Sequence, residues 1–243
     1  MTSRRRRRRR PSNCRGQAAV ESALTLPLAV FLVLGTLQLF MLMQGRAMAQ
    51  YAVARATRAG SVKFGDCTAM RHTAVAALLP TFTRTTDPSR FVAAFAARKN
   101  GRFDPSLDSG RDETIAWIIR ESPSVNPNAE EVFDLATDQP ITLRVRMVFW
   151  YPLRIPFANM VISQIALAHW GLQNLRGANP LLVAQKSANW NDGGSIAGNI
   201  GAELLRRARR AHYSLPIQVT YSMRMMTPPR PANFTSRTCS PYP

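Results

Sequence analysis

Three histidines, three cysteines and fourteen acidic residues are few for a chain of 243, and each scarcity closes off some chemistry. His72, His169 and His212 stand far apart from one another and from Cys67 and Cys239, without the spacing of a zinc site. No acidic loop has EF-hand spacing, so calcium has little to bind. No serine sits in a Gly-x-Ser-x-Gly turn, and no two carboxylates form a recognisable acid–base pair. The expectation is a protein that is not an enzyme, with no cofactor and no small-molecule substrate. The sharpest absence is of charge: the 22 residues from Ser22 to Met43 carry none.

That uncharged run is also strongly apolar. As a helix it would be about 33 Å long, enough to cross a hydrocarbon core of about 30 Å. Ser22, Leu24, Pro27, Phe31, Leu34, Leu39 and Met43 mark its course. Seven arginines, Arg4 to Arg10, and then Arg15 precede it. By the positive-inside rule that flank stays in the cytoplasm, and everything after Met43 is exported. The predicted location is the inner (cytoplasmic) membrane, with a single pass and the bulk of the chain on the periplasmic side.

The formal net charge is +18, but eight of those charges precede Gly16, so the rest of the chain keeps +10. Such a balance points first to nucleic acid. Topology removes that partner, because residues 45 to 243 face away from the cytoplasm. The arginine tail can instead meet anionic headgroups, at about 1 kcal/mol per residue. Ala47-Met48-Ala49 has the form of a signal-peptidase site. An apolar h-region, however, is about 7 to 15 residues long, shorter than this run.

Glu21 is the oddity, a carboxylate at the edge of a span, where charge is costly. It can sit at headgroup depth beside Arg15, or it can serve a partner. The stretch Arg15-Gly16-Gln17-Ala18-Ala19-Val20-Glu21-Ser22-Ala23-Leu24-Thr25-Leu26-Pro27-Leu28, with Ala47 to Gly60 after it, resembles the opening of the TadE-like family. These are pilin-like components of tight-adherence (Flp) pilus systems. Tyr221 to Met225 resembles, more weakly, a C-terminal strand of the same proteins. The resemblance implies a basic leader ending at Gly16, cut there by a prepilin peptidase to expose Gln17, or kept as an uncut anchor. It also implies a Glu21 that neutralises a neighbouring subunit, with other pilin-like subunits and an assembly platform as partners. A second pilin-like protein of similar size is among them. The small Flp pilins carry tyrosine where Ser22 stands and are much shorter, so this chain is not expected to be the bulk filament subunit. The alternative is a generic single-pass envelope protein with a structural or docking role.

The domain plan is a leader over 1–16, the membrane helix and its extension over 17–60, and an exported domain over 61–243. The fold class expected is α+β: a long N-terminal helix, then one domain with a small antiparallel sheet. Gln44 to Ala59 continues the membrane helix, with Tyr51 and alanines packing, Arg46, Arg55 and Arg58 wet, and Gly60 as the stop. Helices are predicted at His72–Leu79, at Ser89–Lys99 and, shortly, at Glu113–Arg120, followed by an acidic block at Glu130, Glu131, Asp134 and Asp138. Ile141–Phe149 and Leu215–Met225 alternate as strands and are expected to pair antiparallel. Phe157–Leu175 is uncharged but too polar for an unaided second span, and reads as an amphipathic helix packed on the sheet or lying on the membrane. Gly193-Gly194 marks a loop, and Ile196–His212 a helix whose Arg206, Arg207, Arg209 and Arg210 form a solvated basic end. Cys67 and Cys239 are a candidate disulfide pair, closing a loop worth roughly 5 kcal/mol or less.

Overall fold

The computed structural model describes residues 15–124, 141–172 and 198–239. The acidic block and Gly193-Gly194 lie outside them. The chain opens with a single helix of 48 residues, α1, Arg15–Val62. Leucine, alanine and methionine supply helix propensity along its length, and Pro27 is its one interior proline. α1 is followed by α2 (Cys67–Leu78), α3 (Pro88–Arg98), β1 (Ala116–Ser122), β2 (Thr142–Pro152), α4 (Ala158–His169), α5 (Gly198–Arg209), β3 (Ser214–Arg224) and the short β4 (Thr238–Cys239).

The sheet runs β3-β2-β1-β4, antiparallel at every pairing. The two sequence-predicted strands are neighbours, with Val145 opposite Tyr221 and Met147 opposite Val219. One sheet face carries Leu143, Val145, Met147, Phe149, Ile118, Ile217 and Val219 and is covered by α1 and α2. The other carries Trp117, Val148 and Trp150, packed against Leu167 of α4 and Ile200 and Leu204 of α5. The result is helices, sheet, helices. β2 shows why its sequence alternates only at first. Arg144 and Arg146 are partly exposed and pair with Glu121 on β1 at 3.0 and 3.1 Å. From Met147 onward both faces of the strand are buried.

Several expectations change. Glu113–Arg120 is not a helix: Ala116–Ser122 is a strand between β2 and β4. Its Ala-Trp-Ile-Ile run is buried on both faces, and such a run has no period that separates strand from helix. Gly60 is not the helix stop. It lies inside α1 and is buried, and a Cβ there would come within 2.5 Å of Met70 Sδ and 2.8 Å of Leu143 Cδ2. The turn is made at Phe64 and Gly65, with φ of 54° and 77°, and the Gly65 N–H donates to the Gly60 carbonyl. Tyr51 is exposed, so the packing stripe is made by Ala49, Ala52, Val53 and Ala56. α2 begins at Cys67 rather than His72, because the Asp66 carboxylate accepts from the N–H groups of Thr68 and Ala69. Cys67 and Cys239 are bonded, with Cα atoms 5.2 Å apart, and tie the start of α2 to β4 across 172 residues.

The basic end of α5 also differs from expectation, because Arg207 is not solvated. Its Nε donates to Glu203 at 2.7 Å and its Nη2 to the Thr114 carbonyl at 2.8 Å. Its guanidinium lies 4.4 Å over the Trp150 ring. Burial pulls the Arg207 pKa down to about 10 against the support of Glu203. Burial alone would raise the Glu203 carboxyl, but Arg206 and Arg207 outweigh it and hold it below the ordinary range. His212 Nδ1 lies 2.7 Å from the buried Glu113, beside the same cluster.

Candidate functional site: the N-terminal half of the long helix

The sequence-predicted site residues are strung along the first half of α1, where the described side chains from Val20 to Val30 are exposed. Gly16 and Gln17 lie in its first turn. Glu21 and Ser22 follow on the exposed surface, and the Glu21 carbonyl accepts from Thr25 Oγ1 at 2.9 Å. Pro27 has no N–H to donate, so one intrahelical bond is missing at that turn. Leu24, Leu26, Leu28, Val30, Leu32, Val33, Leu37, Leu39, Phe40 and Met43 are all exposed, Leu24 by 72%. In water, ten such side chains in one stretch would be a heavy cost; in lipid they are the expected surface. This is the one helix among the described residues long and apolar enough to cross a membrane.

Around the helix the surface is uneven. Ser22, Thr25, Leu26, Ala29, Val33 and Leu34 line a shallow apolar groove. At about 100° per residue Ser22, Thr25, Leu26, Ala29 and Val33 lie on the side opposite Phe31, while Leu34, three residues on from Phe31, borders its side. Phe31 is where the folded domain first touches the helix: its ring meets Phe157 edge-on, with centroids 5.8 Å apart. About two turns further on, Gln38 is fully buried. Its Oε1 accepts from the backbone N–H groups of Arg154 and Ile155 at 3.1 and 2.9 Å. Next comes Gly45, where a Cβ would run into the Tyr151 ring at 2.5 Å. From Ala49 to Ser61 the helix is part of the domain core.

Gln38, Gly45 and Phe157 were not singled out from sequence. The available signals were a lone amide inside the uncharged run and a glycine where the helix had no reason to stop. The Ala47-Met48-Ala49 triplet lies within α1, with Ala49 fully buried in the core. Among the described residues no group of His, Cys, Asp or Glu is placed to hold a metal ion.

The architecture defines a class: a folded α+β domain built onto the far end of a single candidate membrane anchor. Residues 16–58 of the chain match the family model described as TadE-like protein. The match begins at the glycine ahead of Glu21 and ends inside the buried part of α1. No curated protein and no solved structure matches the chain.

Proposed function

We propose that this protein is a pilin-like component of a tight-adherence (Flp-type) pilus assembly machine or a related secretion system. In this reading α1 anchors it in the inner membrane with the arginine leader in the cytoplasm and the domain in the periplasm. It acts through lateral helix packing, not catalysis. The observation that carries the reading is that the TadE-like segment takes in the exposed apolar half of α1 together with the buried part that seats the domain on it. The exposed apolar part of that segment is the surface on which another helix would pack.

The chemistry assigned to Glu21 follows from its depth. A carboxylate one turn into a bilayer is stabilised by a cation or a hydrogen-bond donor, and a neighbouring subunit's α-amine or arginine supplies one. Pro27 and the small residues Ser22, Thr25 and Ala29 let a second helix approach closely. The Cys67–Cys239 bond supports an oxidising compartment for the domain.

Glu21→Gln tests the role. The domain should fold with unchanged stability, while surface piliation or adherence falls to the level of the deletion strain. Normal piliation by a normally expressed Glu21→Gln protein would favour the generic anchored envelope protein instead. Mass spectrometry of the N-terminus then separates two forms of the reading: a chain beginning at Gln17 is one whose helix can leave the bilayer, and one retaining the arginines is a permanent anchor.

A further inference from the structure

The domain reaches too far down α1 to sit wholly in water. Arg15 sets the earliest point at which the helix can enter hydrocarbon. About 20 helical residues are needed to cross about 30 Å, so a crossing begun at Gly16 ends near residue 36. A later start or a tilt pushes that end further along the helix. Phe31 therefore lies at least about 7 Å inside the boundary, and helical side chains lean further toward the N-terminus. Phe157 is packed on Phe31, so the domain carries Phe157 to the same depth.

The surrounding chain has the chemistry that this placement demands. Arg154 and Ile155 are held at the level of Gln38 by the two hydrogen bonds to its side chain, which is headgroup height. Arg154 is exposed there, and arginine suits a phosphate zone. Below it, from Ile155 to Ala168, no residue carries a formal charge. Phe157, Met160 and Ile165 are 52, 43 and 52% exposed, which leaves apolar side chains uncovered at the entry of α4 and along its first two turns. Ala158, Ser163 and Leu167 are buried and seat the helix on the domain. Phe157 also holds a φ of 69°, a costly conformation for a bulky residue, and one that aims the start of α4 toward α1.

We propose that Phe157 and the first turns of α4 are inserted into the acyl region of the leaflet on the domain's side, with Arg154 at its headgroups. The proposal rests on α1 spanning the bilayer. Lipid, not a partner protein, is the occupant, because this face is continuous with the apolar surface of α1 and lies at its depth. The domain would then ride low on the membrane at a fixed angle. A partner helix would be left the groove on the far side of α1.

The test uses the full-length protein with Cys14→Ser, reconstituted in vesicles of phosphatidylethanolamine and phosphatidylglycerol. A nitroxide is attached in turn at Phe157→Cys, Met160→Cys, Leu28→Cys and Val92→Cys; collisions with oxygen report lipid, and collisions with a nickel chelate report water. Positions 157 and 160 should match position 28, with high oxygen and low nickel access, while Val92 on α3 shows the reverse. If position 28 is in lipid but 157 and 160 meet nickel, the insertion is wrong and the anchor stands. Labels at 157 and 160 screened from both reagents would mean that protein covers the face, which also overturns it. Nickel access at position 28 would remove the anchor and the insertion together. Met160→Cys keeps the test valid if the strained position 157 does not tolerate replacement.

Discussion

Residues 20–34 and residues 49–61 belong to one unbroken helix and are built for different solvents. The first stretch is rich in leucine and valine, and among the described residues its large apolar side chains from Val20 to Val30 are exposed. The second is small wherever it meets the domain: Ala49, Ala52, Ala56 and Gly60 let α2 and the sheet approach closely, while Arg55 and Arg58 stay wet. Helix propensity is served equally well in both. The side-chain volume on each face decides whether a helix is meant for lipid or for a protein core. The comparison also explains why the TadE-like match, residues 16–58, spans both halves: the anchor and the central helix of the domain are the same element.

The comparison can be broken from either side. The largest effect is expected in the domain. Arg207→Ala takes from Glu203 the buried one of its two arginines, takes the donor from the Thr114 carbonyl and uncovers the Trp150 ring, and should cost about 3–5 kcal/mol in denaturant unfolding. Membrane retention should be unchanged. Leu28→Arg attacks the other half: a charge near mid-bilayer should cost about 2.5–3.5 kcal/mol of insertion. It should appear as carbonate-extractable protein whose domain still forms the Cys67–Cys239 bond. Gly60→Val places carbon where Met70 and Leu143 already are, and should cost about 1–3 kcal/mol with no effect on insertion.

The smallest effect is one of pH. Glu203 titrates lower when folded than in the unfolded chain, where its value is near 4.5. Its contribution is therefore full above that value and is lost as the pH falls through the folded one. Thermal stability should decline in acid below the unfolded value, and Glu203→Gln should flatten that decline, as calorimetry would show.

The long apolar helix, the β2–β3 pair and the α+β class were legible in the sequence because each has a period or a length that marks it. β1 was not: buried on both faces, it offers no alternation, and tertiary pairing decides its state. Arg207 was misread, while Arg206, Arg209 and Arg210 are exposed as expected, because a run of like charges says nothing about which member finds Glu203 and Trp150. Gly60 was misread because a glycine near a helix end signals a stop, while the close approach of Met70 and Leu143 is a fact of packing. Of the candidate site, Gly16, Gln17 and Glu21 came from the resemblance, and the face on which a partner could lie came only with the structure. That face is defined by where Phe157 and Gln38 dock, and nothing local in the chain shows it.

The most direct test of lateral packing through the free half of α1 is in-cell photocrosslinking. A photoreactive amino acid is placed at Ala29, in the groove opposite Phe31. The account predicts a discrete adduct with another membrane protein of the same assembly, lost in the Glu21→Gln background and absent when the probe is moved to Val92. Adducts to lipid alone at Ala29, with piliation intact, would contradict it.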